Sequence, residues 1–296
     1  MAEADPARSV GAGGSGRGEM ALRVISSLVL APLAIFVAYL GGWVLAVFWG
    51  AAAILVFWEW SGLVVEGDRR VVRAACVASI VLSAICASAA GYLNGALHTN
   101  LVLSAFAMLV VGAVAGAALA PRTQRIWAAS GVPYAGMIAL APILLRADAG
   151  FGFVALMILF AIVWATDILA YFVGRAVGGP KVAPQISPKK TWSGAIGGAL
   201  AAMVAAAAIA WSTGLAGIDK IMLLAVVLSV VAQAGDFFES ALKRRFGAKD
   251  SGHLIPGHGG LMDRLDGFVT AVVLALVIGI CRGGLSEPAR GLLVWP

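Results

Sequence analysis

DFFESALKRRFGAKDSGHLIPGHGGLMDRLD, residues 236–266, is a polar stretch in an otherwise apolar chain. It holds two of the three histidines, His253 and His258, together with five carboxylates and five cations. These charged residues are Asp236, Glu239, Asp250, Asp263, Asp266, Lys243, Arg244, Arg245, Lys249 and Arg264. Such a concentration of charge between hydrophobic segments indicates chemistry on a charged substrate at a membrane surface.

The composition places the chain among membrane proteins. Of its 296 residues, 61% are hydrophobic and 12% are charged, and the mean hydropathy is +0.96. Soluble globular chains contain about 45–50% apolar and roughly 25% charged residues. The three cysteines, Cys76, Cys86 and Cys281, show neither metal-binding spacing nor an even number. They indicate no disulfide framework, and we interpret them as small buried hydrophobic residues.

Apolar runs recur at the length of about 20 residues that a membrane-spanning helix needs. Because lipid offers no hydrogen bonds to exposed backbone, each run is predicted to be a helix. The predicted spans are 24–40, 43–60, 71–90, 100–120, 127–145, 151–173, 194–213, 218–235 and 267–281. The expected fold class is an all-α polytopic membrane protein with about nine transmembrane helices.

Three regions follow from this pattern. Residues 1–20, rich in Gly, Ala, Ser and Arg, are predicted to form a disordered cytosolic tail. Residues 21–145 hold the N-terminal transmembrane helices, and residues 146–296 hold the C-terminal catalytic transmembrane region. A secretory signal is the alternative interpretation of the N-terminus. It is disfavoured because the run 24–40 is long for a signal and no clear cleavage site is followed by a soluble domain.

The loop charges predict the orientation in the membrane. With the N-terminus in the cytosol, 17 of the 21 Lys and Arg residues fall on the cytosolic side and 4 fall outside. Cytosolic loops of membrane proteins carry such an excess of cations. The expected topology therefore has an odd number of spans, with the N-terminus cytosolic and the C-terminus outside. The polar stretch then faces the cytosol.

The same topology brings two further polar groups to the cytosolic side. Asp167 lies inside the sixth apolar run, about two turns from its cytosolic end. A carboxylate at that depth is costly unless it is paired or hydrated, which favours a functional role over a structural one. The loop 174–192 contains three prolines and cannot be one continuous helix. Its lysines are explained by membrane orientation alone, and phosphate binding is the alternative.

Small residues are dense in the run that starts at Ser193. Gly194 and Gly198 are four residues apart, as are Gly197 and Ala201. This spacing lets two helices approach closely, so it predicts tight packing and carries no evidence about function.

Helical spacing divides the polar stretch into three parts. Asp236, Ser240 and Lys243 share one face of a helix that continues from the eighth span. The run 252–260 breaks the helix, and its glycines and proline allow backbone amides to approach a ligand. Asp263 and Asp266 follow at a spacing of three before the last span. Helix capping is the alternative role for these two carboxylates, and it is stronger for Asp266.

Many cations beside several carboxylates, without cysteine ligands, indicate phosphate together with a hard metal ion. Mg²⁺ prefers oxygen ligands, commonly one or two carboxylates with waters and substrate phosphates. Phosphoryl and nucleotidyl transfer depend mainly on positioning and charge neutralisation, which Mg²⁺, Lys and Arg supply. The polar stretch contains no Walker-type loop and no GxGxxG pattern. A zinc hydrolase is disfavoured because His253 and His258 lack the helical HExxH arrangement.

The run from Ser240 to Asp266 closely resembles the signature of the phosphatidate cytidylyltransferases, or CDP-diacylglycerol synthases. The segments 186–192 (ISPKKTW) and 167–175 (DILAYFVGR) are also similar to that family. The resemblance covers the C-terminal half well, whereas the first half matches only as a series of spans. It implies transfer of CMP from CTP to phosphatidate, giving CDP-diacylglycerol and pyrophosphate for phospholipid synthesis. The implied cofactor is Mg²⁺, and a second cation beside it stays open.

The resemblance also implies roles for individual residues. Asp236 and Asp263 are the implied metal ligands, and Lys243, Arg244 and Asp266 complete the predicted catalytic set. The predicted substrate-binding residues are Asp167, Ser187, Lys189, Lys190, Thr191, Ser240, Lys249, Asp250, His258, Gly259, Gly260 and Arg264.

The expected partners are CTP, phosphatidate and membrane lipid, without nucleic acid, and the resemblance implies a homodimer. The expected location is the inner or plasma membrane of a bacterial cell, with the active site facing the cytoplasm. Two alternative functions stay open: a CTP-dependent lipid kinase acting on a polyprenol-type acceptor, and an anion transporter whose basic loops form a vestibule. The transporter is disfavoured because no convincing internal repeat is found.

Overall fold

The protein is a bundle of long apolar helices. The structure is a computed structural model that describes residues 29–252 and 259–295. Within this part of the chain, eight helices are long and apolar enough to cross a membrane, and a shorter apolar helix precedes them. The expected all-α polytopic membrane fold is confirmed. The predicted tail 1–20, together with His253 and His258, lies outside the described residues.

The elements alternate in direction through the bundle. The first helix, α1, is described over Val29–Leu40. The others are α2 Gly42–Val64, α3 Arg70–Ala90, α4 Gly95–Leu119, α5 Arg125–Ala147, α6 Gly152–Val177, α7 Trp192–Ser212, α8 Ile218–Arg245, α9 Met262–Gly283 and the short α10 Pro288–Leu293. A 3₁₀ turn, Arg122–Gln124, precedes α5. An antiparallel hairpin, β1 Lys181–Ala183 and β2 Ser187–Thr191, connects α6 to α7.

The helices coincide with the predicted spans but end at different places. The predicted loop 174–192 is shorter than expected, because α6 continues past Gly174 and ends only where Gly178 adopts a φ of 68°. The α8 helix extends beyond residue 235 to Arg245, as the spacing of the polar stretch predicted. The last span is longer than predicted and begins at Met262. Residues 236–245 and 262–266 of the polar stretch are therefore helical.

The α5 helix is the centre of the bundle. In an apolar 18-residue segment of this span, 72% is buried inside the bundle, against 44% or less in the corresponding segments of the other spans. It contacts α2, α3 and α4 on one side and α6 and α9 on the other. Glycines make room for its neighbours: a Cβ at Gly131 would lie 2.3 Å from the Trp60 ring, and one at Gly136 would lie 2.4 Å from Leu109. The α5 helix thus joins the N-terminal helices to those that carry the polar stretch.

The predicted close packing of the glycine-rich helix is confirmed between α6 and α7. A Cβ at Gly194 would lie 2.6 Å from the Ala170 carbonyl oxygen, and one at Gly198 would lie 2.7 Å from the Thr166 carbonyl oxygen. Thr166 also hydrogen-bonds Ser229 of α8 at 2.7 Å in the buried interior. These contacts bring α6, α7 and α8 into one compact group.

One end of the bundle collects the charged connections. The C-terminal ends of α2, α6 and α8 meet the N-terminal ends of α5, α7 and α9 there, and most of the described Lys and Arg residues lie there. We call it the charged end. The opposite end is tied by fewer polar contacts, among them Arg146 to the Tyr39 carbonyl at 3.0 Å and Asp148 to the Arg290 amide at 2.9 Å. The asymmetry matches the predicted distribution of charge.

Replacing Gly198 by Ala should destabilise the α6–α7 pair, because the new methyl group would press on backbone. Overpacking of this kind costs about 1–3 kcal/mol. Gly50→Ala in α2 is the matched control, because an added Cβ there meets nothing within 4 Å. Thermal unfolding in detergent micelles should show a lower midpoint for Gly198→Ala only. Equal midpoints for the two variants would contradict the tight α6–α7 contact.

Candidate active site

A cavity of about 780 Å³ opens at the charged end, between α6, the β hairpin, α7, α8 and α9. It brings together the polar stretch and the two other groups that the sequence placed on the same side. The predicted residues that line it are Asp167, Ser187, Lys189, Lys190, Thr191, Asp236, Ser240, Lys243, Asp263, Arg264 and Asp266. These residues come from four separate elements, α6, β2, α8 and α9, so the cavity exists only when the C-terminal half is folded.

Helical spacing explains why the side chains converge. Asp236, Ser240 and Lys243 line the cavity from one face of α8, as their spacing predicted. Asp263 and Asp266 reach it from the first turns of α9. The hairpin supplies residues 187–191 as strand β2. The α6 helix supplies Asp167, well inside the helix and clear of its exposed end.

The first group of carboxylates in the cavity contains Asp167, Asp236 and Asp266. The Asp266 carboxylate lies within electrostatic reach of the other two. Lys190 forms an ion pair with Asp236, and its ammonium also lies 4.7 Å from the centre of the Phe237 ring. Both partners of the pair are about one-third exposed, at 32% each. Lys190 is therefore a partly exposed counter-charge in a pocket that holds three carboxylates.

The second group contains Glu239, Lys243 and Asp263, and it is more buried. The Lys243 ammonium donates to Asp263 Oδ1 and to Glu239 Oε2, each at 2.7 Å. Asp263 Oδ2 accepts hydrogen bonds from the Gly260 amide at 2.9 Å and the Ser251 amide at 3.2 Å. Asp263 is thus fixed on both oxygens and links α8, α9 and the loop between them.

Some predicted site residues lie elsewhere or have a structural contact. Thr191 lines the cavity but is 4% exposed, and its hydroxyl caps α7 by accepting from the Gly194 amide at 3.2 Å. Arg244, Lys249 and Asp250 are exposed and stand apart from the cavity lining. Arg244 is on another face of α8, and Lys249 and Asp250 follow the end of that helix, so none of the three lines the cavity.

Gly259 and Gly260, also predicted for substrate binding, form the turn that holds Asp263. Gly259 has a φ of 81°, a left-handed conformation that favours glycine. A Cβ there would lie 3.0 Å from Asp263 Oδ2. His258, the remaining predicted residue, lies outside the described part of the chain.

Sequence reasoning assigned no role to several residues at the site. Glu239 was counted only as one carboxylate of the polar stretch. It lies four residues before Lys243, and this spacing could have predicted an ion pair between them on one helix. Arg175 and Gln233 also line the cavity. Glu59 of α2 was missed, although it is ionisable within an apolar run, the same signal that singled out Asp167.

The donor set suits a hard cation. The polar side chains that line the cavity are carboxylates, hydroxyls, an amide, lysines and arginines, with no Cys or His among the described residues. Glu239 Oε1 is buried without a hydrogen-bond partner among the described residues. No three His, Cys, Asp or Glu side chains of residues 29–252 and 259–295 are already gathered as a metal site. Mg²⁺ commonly needs only one or two protein carboxylates, with waters and substrate phosphates completing the shell. The residues present therefore fit a cation that is bound together with its substrate.

The family of the chain follows from its similarity to known proteins. A model of the cytidylyltransferase family matches residues 21–281. The chain belongs to the cytidylyltransferase family. It is 42% identical over 262 residues to the phosphatidate cytidylyltransferase of Brucella abortus, a match that covers 87% of this chain and 92% of that protein.

Two further phosphatidate cytidylyltransferases are similar over part of the chain. That of Rickettsia bellii is 41% identical over 133 residues, covering 42% of this chain and 58% of that protein. That of Haemophilus influenzae is 44% identical over 126 residues, covering 41% of this chain and 44% of that protein. A cytidylyltransferase handles a nucleoside triphosphate, and the lysines and arginines of the cavity suit such an anionic substrate.

Lys243→Met should lower the stability of the protein strongly, because it leaves Glu239 and Asp263 buried without their counter-charge. Loss of one partner from a buried pair costs about 3–5 kcal/mol. Lys220→Met is the matched control: its pair with Asp219 is 3.5 Å long and exposed, so about 0–1 kcal/mol is expected.

The measurement is thermal unfolding of both variants in detergent micelles. The double variant Glu239→Gln with Lys243→Met should recover part of the loss, because it removes one of the two unpaired carboxylates. A Lys243→Met midpoint no lower than that of Lys220→Met would contradict the buried ion-pair description.

Proposed function

We propose that this protein transfers CMP from CTP to phosphatidate, giving CDP-diacylglycerol and pyrophosphate for phospholipid synthesis. The observation that carries the proposal is the cavity in which five carboxylates and several cations meet at the end of the membrane-spanning helices. Relatives also support the proposal, because the chain matches proteins named phosphatidate cytidylyltransferase. Neither a lipid kinase nor a transporter is favoured by any of these observations.

The reaction needs no side-chain nucleophile. The phosphate monoester of phosphatidate carries an oxygen that attacks the α-phosphorus of CTP. The bond from the α-phosphorus to the oxygen that bridges to the β-phosphorus breaks, and pyrophosphate leaves with the electron pair of that bond. The protein has to bring two anions together, hold them in line and neutralise their charge. A cavity lined with lysines and arginines at a membrane edge meets this requirement.

The cations of the cavity divide into two groups by position. Lys189 and Lys190 of β2, with Ser187 beside them, form one wall. Arg264 and Lys243 lie on the helices opposite. We assign the hairpin wall to the phosphates of the incoming substrates and the helix wall to the charge that develops on the leaving pyrophosphate. Arg244 and Lys249 are exposed and would act only on a substrate that extends beyond the cavity.

We further propose Mg²⁺ as cofactor, with Asp236 and Asp263 as its protein ligands and a second cation left open. When bound, Mg²⁺ would neutralise phosphate charge and polarise the α-phosphoryl group. Asp236 is the more available ligand, because its partner Lys190 is on an exposed hairpin. Asp263 is held by Lys243 and two amides, so its contribution depends on the Glu239–Lys243 pair. Asp167 and Asp266 would add negative charge near Asp236.

The site suits one soluble and one lipid substrate. It opens at the charged end of the helices, so CTP would arrive from the cytoplasm and phosphatidate from the bilayer. We place the protein in the inner or plasma membrane of a bacterial cell with this end facing the cytoplasm. We also propose a homodimer, which cross-linking in native membranes would test.

Purified wild-type protein with CTP, phosphatidate and Mg²⁺ should release pyrophosphate, and omission of any one of the three should stop the release. Asp236→Asn keeps the shape of the side chain but removes its charge, so activity should fall by about 100-fold or more. Asp219→Asn is the control, because Asp219 is exposed and stands apart from the cavity lining. Full activity of Asp236→Asn would contradict its role, and no release by the wild type would contradict the function.

A further inference from the structure

Glu59 is a buried carboxylate that the proposed reaction does not use. It lies near the C-terminal end of α2, is 4% exposed and points toward the loop that precedes α9. This loop is about 200 residues away in sequence, in the other half of the chain. A charge buried in an apolar helix needs strong compensation, so its partners indicate its purpose.

Within residues 29–252 and 259–295, every hydrogen bond of the Glu59 carboxylate goes to the polar stretch. Oε1 accepts from the Leu261 amide at 2.9 Å, and Oε2 accepts from the Met262 amide at 2.7 Å. Oε2 also accepts from the Ser251 hydroxyl at 3.3 Å. Met262 is the first residue of α9, and a carboxylate at this point satisfies free amides and is favoured by the helix dipole. Glu59 therefore caps a helix that belongs to the other half of the protein.

The loop approaches the Glu59 carboxylate so closely that a side chain at either flanking glycine would displace it. A Cβ at Gly252 would lie 2.7 Å from Glu59 Oε1, and a Cβ at Gly260 would lie 2.7 Å from Glu59 Oε2. These are two separate glycines of the signature, one on each side of residues 253–258. The two glycines are evidence separate from the hydrogen bonds that the described ends of the loop pack against this carboxylate.

The same loop residues bind Asp263 from the other side. The Ser251 and Gly260 amides donate to Asp263 Oδ2, while the Ser251 hydroxyl donates to Glu59. Glu59 and Asp263 therefore hold one piece of backbone between them. A shift of that backbone would move Asp263 relative to Lys243 and the cavity.

We propose that Glu59 is a positioning residue for the active site. It holds the start of α9 and both flanks of the loop so that Asp263 faces the cavity, and it makes the N-terminal helices part of the catalytic apparatus. The link to catalysis rests on the proposed function, whereas the link to the loop rests on the contacts alone. Glu59 itself would touch neither substrate nor metal.

The first test measures the loop without any substrate or metal. Glu59→Gln keeps the shape, but an amide has a single acceptor oxygen, so one of the Leu261 and Met262 amides must face an NH₂ group. Hydrogen exchange of the metal-free protein in micelles should then be at least about tenfold faster in peptides covering 259–268. Peptides from α3 and α4 should be unchanged. Ser251→Ala, which removes only the 3.3 Å bond, should have a smaller effect.

The control for general destabilisation is Ile80→Ala in α3, a fully buried apolar residue remote from the cavity. It should raise hydrogen exchange in α3 and its neighbours, and the folded fraction should keep the kinetics of the wild type.

Glu59→Gln should instead lower kcat by about 10- to 100-fold. The KM values for CTP and phosphatidate should change by less than about threefold, because Lys189 and Lys190 of the hairpin, which we assign to the substrate phosphates, lie outside the loosened segment 259–268. Glu59→Asp should not restore kcat, since the shorter side chain cannot reach both amides.

Wild-type exchange in residues 259–268 of Glu59→Gln would overturn the proposal, as would a kcat equal to that of the wild type. The same pattern of exchange and kinetics in Ile80→Ala and Glu59→Gln would also overturn it. An inactive wild-type enzyme would instead contradict the proposed function, and the exchange measurement would still decide the contact between Glu59 and the loop.

Discussion

The ion pair between Lys243 and Asp263 is the contact on which the site depends. It joins α8 to α9, and Asp263 in turn fixes the Gly260 and Ser251 amides. In an apolar bundle each buried charge must find its counter-charge within the protein, because lipid supplies none. Lys243 meets this need for Glu239 as well, at the same distance of 2.7 Å. One ammonium group thus holds together two helices, a loop and two carboxylates.

The rest of the architecture supports this arrangement. The α6–α7 contact is tight because Gly194 and Gly198 leave no side chain between the helices, and it places Asp167 and the hairpin lysines opposite α8. The α5 helix packs on α9 and on α2, so the N-terminal helices reach the loop through Glu59. The site therefore has a rigid side, made by Lys243, Asp263 and Glu59, and a more exposed side, made by Lys190 and the hairpin. This division suits an enzyme in which Asp263 stays fixed while anionic substrates exchange beside the more exposed hairpin.

Much of this could be predicted from the sequence. Apolar runs of spanning length predicted the helices, and the spacing of Asp236, Ser240 and Lys243 predicted their common face. The predicted end of the sixth span, at residue 173, was wrong. Glycine permits a helix to end, but only tertiary contacts decide that α6 continues through Gly174 and stops before Gly178. Contacts between distant helices could not be predicted, because nothing in the local pattern near Glu59 shows that it meets Leu261. The exposure of Arg244 likewise depends on how α8 is rotated, which is set by packing against its neighbours.

Transfer of a cytidylyl group to a lipid phosphate is tested by following a radioactive label on CTP. The protein is incubated with phosphatidate and CTP labelled with ³²P at either the α- or the γ-phosphorus, and the lipid is then extracted. Cytidylyl transfer should place the α-label in the lipid and the γ-label in pyrophosphate. Recovery of the γ-label in the lipid would show phosphoryl transfer by a kinase and would contradict the account.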